Sequence, residues 1–187
     1  MPIKVLFACG GTAGHINPAL AVAGVLKKRH PDAKILFAGN PKGMEARLVP
    51  AAGYPFASIE VLGFQRQLSL HNLKNNAMAA AYLLTASQKA AKIIREFSPD
   101  VCMGTGGYVS GPVVRQAAKM GIPTLTHEQN AFPGVTTKLL TRYVDKVLLA
   151  VPEAIDYIPP KAHDRCITTG NPVRQEILLA DRQSARQ

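Results

Sequence analysis

The sequence predicts a doubly wound α/β fold built on a mostly parallel sheet. Three features carry that expectation: short β-rich runs apolar on both faces, helix-patterned segments between them, and glycine turns where a run hands over to a helix. The first strand is IKVLFA (3–8), and a helix follows over 17–30. KILFAG (34–39) leads to a helix at 42–52, and FASIEV (56–61) to a long helical stretch at 69–97. DVCMGT (100–105) precedes a helix at 110–120, and PTLTHE (123–128) one at 134–143, after which KVLLA (146–150) and CITTG (166–170) complete the strands. Past Gly170-Asn171-Pro172 an amphipathic helical start has no further strand to pack on. Residues 1–170 therefore read as one domain and 171–187 as the start of a linker to a second domain. Ligands of such folds bind at the carboxyl ends of the strands.

Composition narrows the partners. Twenty-two Lys and Arg against twelve Asp and Glu give a net charge of +10, which favours polyanions, anionic lipid surfaces or phosphorylated small molecules. The basic residues are scattered, and five Tyr, six Phe and no Trp leave little to stack on bases, so nucleic acid is disfavoured. Cys9, Cys102 and Cys166 show neither disulfide nor zinc spacing, which fits a reducing cytoplasm and no metal. The apolar N-terminal run is too short for a signal peptide, and AMAAAYLLTA (77–86) falls far below the roughly 20 residues of a membrane span. A soluble or peripheral protein is expected.

Gly10, Gly11 and Gly14 lie between the first strand and its helix, where backbone N–H groups and the positive end of the helix dipole converge on an anion or a sugar hydroxyl. The spacing matches neither the dinucleotide fingerprint nor the ATPase loop. Asn40 stands where an acid would hold a nicotinamide ribose. NAD and ATP are disfavoured, and no other cofactor is called for. GTGGYVSGP (104–112) repeats the glycine turn after the fourth strand, so the two loops are expected to wall one cleft. His15, near the helix entrance, is a candidate general base, since a neutral imidazole facing a cleft can accept a proton. A third cluster, His127, Glu128, Gln129 and Asn130, closes the fifth strand with polar side chains suited to sugar hydroxyls. It offers a metal only one His and one carboxylate.

GGTAGHINPALAVA, GTGGYVSGP, GIPTLTHEQNAFPGVTTKLL and GNPVR, in this order and spacing, closely resemble the MurG family of glycosyltransferases. The resemblance runs from residue 3 to about 180 and covers only that family's N-terminal half. It implies the Rossmann-like acceptor domain of a two-domain GT-B enzyme. Such an enzyme moves N-acetylglucosamine from UDP-N-acetylglucosamine to the 4-hydroxyl of the muramoyl sugar of lipid I, with inversion, making lipid II for peptidoglycan. It further implies a cofactor-free reaction on the cytoplasmic face of the membrane, by a peripheral protein whose isolated N-terminal domain is inactive.

By the same resemblance His15 is the catalytic base. Thr12, Ala13 and Gly14 of its loop, with Asn130 and Arg174, serve the donor. Tyr108, Ser110 and the N–H groups of Gly106 and Gly107 line the acceptor diphosphate, and His127 and Glu128 belong to the acceptor side while supporting Asn130. Two departures stand out. Ala13 replaces a family glycine, so a positive φ there would be costly. Thr137 replaces a family asparagine, which puts the amide's hydrogen bond in doubt. The face over 64–97, with Arg66, Lys74, Lys89, Lys92 and Arg95 against Glu96 and interleaved leucines, is expected to rest on an anionic bilayer. The alternatives are a transferase for another lipid acceptor and a non-catalytic module recruiting a separate donor-binding subunit.

Overall fold

Strands apolar on both faces need cover on both faces, and the chain supplies it by alternating strand and helix. The computed structural model describes residues 1–61, 85–174 and 177. In chain order these form β1 (Lys4–Cys9), α1 (Ala13–Arg29), β2 (Lys34–Gly39), α2 (Glu45–Ala51) and β3 (Phe56–Ser58). A helix over 85–97, α3, precedes β4 (Val101–Gly106), α4 (Ser110–Lys119), β5 (Thr124–Glu128), α5 (Val135–Leu140) and β6 (Lys146–Leu149). Two 3-10 turns, Pro152–Tyr157 and Pro160–Arg165, lead to β7 (Cys166–Thr168). The seven strands form one sheet in the order β3-β2-β1-β4-β5-β6-β7, and every neighbouring pair is parallel.

Alternate residues of each strand enter opposite layers. Val5, Phe7, Cys9, Ile35, Phe37 and Met103 pack with Ile16, Ala19, Leu20 and Ala23 of α1 and Val49 of α2. Phe7 and Phe37, register partners on β1 and β2, stack with ring centroids 5.0 Å apart. On the other face Leu6, Ala8, Cys102 and Val147 meet Ala90 and Ile94 of α3 and Val113 and Val114 of α4. This two-layer burial fixes which sheet edge is left open: the loops at the strands' carboxyl ends.

Several boundaries differ from the sequence reading, two of them instructively. Helix α1 begins at Ala13, not 17, because Thr12 (φ −139°, ψ 155°) is the extended residue before it and Pro18 lies inside the helix. Proline is most at home at a helix's first position, which draws the expected start towards it. Here it sits further in and leaves the Gly14 carbonyl without its helical donor. Strand β3 stops at Ser58, although Ile59 and Val61 beyond it remain buried. The charged face at 64–97 lies partly outside the described residues: of its cations only Lys89, Lys92 and Arg95 are described, all exposed, with Lys92 3.8 Å from Glu96. Most of the proposed linker, 171–187, also lies outside them. Among the described residues no helix is long and apolar enough to cross a membrane.

Candidate active site

Strand β1 pairs with β2 on one side and with β4 on the other, so the helices that follow β1 and β4 depart to opposite faces of the sheet. That switch in winding opens a crevice above β1 and β4. Its floor is the two glycine loops. The two loops expected to wall one cleft form one continuous surface, since Gly107 packs its α-carbon directly on the Gly10 carbonyl group. A side chain at Gly107 would strike that backbone, and its φ of +83° already favours glycine.

His15 lies in the first turn of α1, half-buried at the edge of this floor. Its Nδ1 is 3.0 Å from the Gly10 carbonyl oxygen and 3.3 Å from Thr12 Oγ1. A carbonyl only accepts, so Nδ1 carries the proton and donates it, and in the neutral ring Nε2 keeps its lone pair. Nε2 makes no hydrogen bond to the described residues. The ring's Cδ2–Nε2 edge passes over Gly106, where any side chain would collide with it; φ there is +110°. Thr105 Oγ1 donates to the His15 carbonyl at 2.7 Å and ties this turn to the end of β4. Ala13 is helical, and Gly11 (φ +84°) makes the left-handed turn instead, so the family glycine's replacement costs the loop no strain.

In the second loop Tyr108 is exposed and Ser110 fully buried. The Ser110 Oγ lies 2.6 Å from the Ala8 carbonyl and 2.7 Å from that of Gly106, and it accepts the Gly106 N–H at 3.2 Å. The hydroxyl is spent on joining β1, β4 and α4, so Ser110 shapes the loop from beneath rather than lining it.

The third cluster is organised by Glu128, a buried carboxylate that accepts four hydrogen bonds. Oε1 takes the Asn130 N–H (3.1 Å) and Asn130 Nδ2 (2.8 Å), while Oε2 takes the Gly134 N–H (3.0 Å) and the Thr137 hydroxyl (2.6 Å). Thr137 thus still donates a bond from the position of the family asparagine. Asn130 is exposed, held by its amide nitrogen, with Oδ1 unbonded among the described residues. His127 is buried: its Nε2 donates to the Gly170 carbonyl at 3.0 Å, and its Nδ1 accepts from Gln129 Nε2 at 3.0 Å. Burial holds its pKa below the ordinary imidazole value, against the opposing pull of the Gly170 carbonyl and the Glu128 charge. A neutral ring that gives and receives one hydrogen bond is a strut between β5 and the segment leading to Arg174, which is itself exposed.

His15, Gly106, Gly107 and the Thr12 to Gly14 turn thus meet over β1 and β4, and Asn130 projects from the neighbouring β5. Ser110, His127 and Glu128 act beneath the surface. Thr12 and Gly14 are exposed; the Thr12 carbonyl accepts the His15 and Ile16 N–H groups at 3.1 and 3.2 Å, and its hydroxyl approaches only His15 among the described residues. Sequence reasoning passed over Glu45, whose buried carboxylate receives the Gly11 N–H at 3.1 Å and the Asn40 N–H at 2.8 Å. Among the described residues no three metal-ligating side chains converge.

Comparison with known proteins identifies the family. Residues 5–149 match the model of the glycosyltransferase family 28 N-terminal domain. A relative from Acetivibrio thermocellus is 49% identical over 184 residues, covering 98% of this chain and 48% of its own length. It is named UDP-N-acetylglucosamine--N-acetylmuramyl-(pentapeptide) pyrophosphoryl-undecaprenol N-acetylglucosamine transferase. The Clostridioides difficile protein of the same name is 44% identical over 98% of the chain and 44% of its own length. The crystal structure of Acinetobacter baumannii MurG superposes with a TM-score of 0.74 at 32% identity, over 92% of this chain and 46% of that one. A UDP-N-acetylglucosamine 2-epimerase from Neisseria meningitidis shares the fold, at 14% identity and a TM-score of 0.62 over 95% of this chain and 49% of its own. The chain spans about half the length of the curated relatives it matches. It belongs to glycosyltransferase family 28, whose N-terminal domain its seven-stranded parallel sheet embodies.

Proposed function

We propose that this chain is the acceptor-binding half of an inverting transferase that moves N-acetylglucosamine from UDP-N-acetylglucosamine to undecaprenyl-diphospho-muramoylpentapeptide. The observation that carries the reading is His15, with Nδ1–H committed to the Gly10 carbonyl and the Nε2 lone pair uncommitted beside the crevice. Nε2 takes the proton of the muramoyl 4-hydroxyl as that oxygen attacks the anomeric carbon. The carbon's bond to the diphosphate oxygen breaks, UDP leaves with the electron pair, and the configuration inverts. The N–H groups of Gly106 and Gly107 and the exposed Tyr108 receive the acceptor diphosphate. Asn130, through its unbonded Oδ1, and Arg174 reach the donor together with the Thr12–Gly14 turn. The names of the relatives supply the substrates, and the +10 charge suits two diphosphate-bearing ligands and an anionic bilayer.

The enzyme works as a peripheral protein on the cytoplasmic face of the membrane, where the acceptor's lipid resides, and these 187 residues alone are inactive. In a full-length transferase carrying this chain, His15→Ala lowers kcat about 10²- to 10⁴-fold with donor binding unchanged. A loss confined to the acceptor KM would make His15 a binding residue instead. Turnover by the 187-residue chain alone would overturn the two-half account.

A further inference from the structure

The Gly10 carbonyl that holds His15 and the Gly11 N–H that Glu45 receives belong to one peptide group. A trans peptide points its C=O and N–H in opposite directions, so the Gly10–Gly11 unit stands between the two side chains. Glu45 Oε2 accepts its N–H at 3.1 Å, and its carbonyl oxygen accepts His15 Nδ1–H at 3.0 Å. We propose that Glu45 is a positioning residue acting on His15 through this peptide, fixing the Nδ1–H tautomer so that the Nε2 lone pair faces the crevice.

Three observations support the relay. Glu45 is 1% exposed although it opens a short surface helix, and both carboxylate oxygens are occupied by backbone donors, Gly11 and Asn40. A buried carboxylate is costly to keep and needs such partners. The space it fills is cleared by Gly10, Gly39 and Gly43, where side chains would collide with it. Its neighbour Cys9 is pushed up to about 12 by burial and then by the Glu45 charge, so the thiol stays neutral and puts no second negative charge beside the carboxylate. Hydrogen bonds in series polarise one another: a negative charge on the N–H side makes the carbonyl a stronger acceptor, which holds the proton on Nδ1. A carboxylate orienting a histidine directly is familiar from acyl-transfer triads; here one peptide group stands between them.

The catalytic value of the relay rests on His15 being the base, but its existence does not, and the test separates the two. Long-range ¹H–¹⁵N spectra of the 187-residue chain, at a pH where imidazole is neutral, should show His15 with a protonated Nδ1 and a pyridine-type Nε2. In Glu45→Gln, which keeps the volume but loses the charge and one acceptor, the Nε2–H population should rise several-fold while amide signals away from residues 9–15 and 39–45 stay in place. An Nε2–H ring in the unmodified chain, or unchanged ring nitrogens in Glu45→Gln, overturns the proposal. Should Glu45→Gln fail to fold, the couplings across both hydrogen bonds, from Gly11 N to the Glu45 carboxylate carbon and from His15 Nδ1 to the Gly10 carbonyl carbon, decide: both present sustains the relay, and the absence of either overturns it. In the full-length enzyme Glu45→Gln should lower kcat about tenfold at unchanged donor KM. Full turnover in His15→Ala would sink the base assignment and leave the tautomer result standing.

Discussion

Thr137→Val removes one hydroxyl from the Glu128 network and keeps the side chain's shape. The lost bond is a buried hydroxyl on a carboxylate oxygen at 2.6 Å, and a hydrogen bond to a charged group contributes about 1.5 to 3 kcal/mol. Glu128 keeps its other three donors, so the charge is not orphaned and the larger penalty of an unpaired buried ion does not arise. For a chain of this size each kcal/mol moves Tm by about 2 to 4 °C, giving a fall of about 3 to 12 °C by calorimetry. Thr137→Asn returns an N–H donor and should recover more than half of that loss. If valine costs less than about 0.5 kcal/mol, or asparagine is no better than valine, then Thr137 does not hold the carboxylate and the account of how Asn130 is positioned fails with it.

Gly107→Ala meets both a positive φ and the Gly10 backbone, whereas Gly121→Ala meets a φ of +73° in open space; chemical denaturation should show about 1 kcal/mol lost at Gly121 and clearly more at Gly107. His127 is held below the ordinary imidazole pKa by burial, so the unfolded chain takes up its proton first. Its stabilisation is complete above the unfolded value and is lost as pH falls through the folded one, by at most about 1.4 kcal/mol per unit. His127→Gln should flatten that slope in urea titrations at successive pH values. Cys9 and Cys102 are buried thiols pushed up to about 12, while Cys166 is partly exposed. A thiol reagent should label only Cys166 in the native chain and all three after denaturation.

The sheet was legible because each strand carries its own signal: an apolar run of a few residues bounded by glycine, proline or charge. The polar row His127 to Asn130 was legible for the same reason, as a break in an apolar strand. What the local pattern does not hold is how the parts of the site divide their work. Glu128 and Ser110 have the chemistry of ligand-binding residues, yet their bonds go to backbone and to the side chains of Asn130 and Thr137. Glu45 reads as an ordinary acid at the start of a helix, because its partner Gly11 lies 34 residues away and contributes only a backbone N–H. A backbone donor leaves no mark in the sequence. The nearest hint was glycine at Gly39 and Gly43 just before it and at Gly10 far upstream, which together make room for a side chain that no single window reveals. Helix α1 hid its start because Pro18 resembles a first-turn residue.

Val5 pairs with Val101, and Gly10 packs on Gly107, so the floor beneath His15 joins two segments that leave the ribosome far apart in time. Such long-range parallel pairing pays its loop-closure entropy before contacts reward it, and it is slow. Strand β1 must wait, with one edge unpaired, while β2, β3 and the next helix are synthesised. Substitutions at the β1–β4 seam should therefore show first as slow maturation and aggregation of the nascent chain, and a variant that is sound once folded should still give a low yield of folded protein.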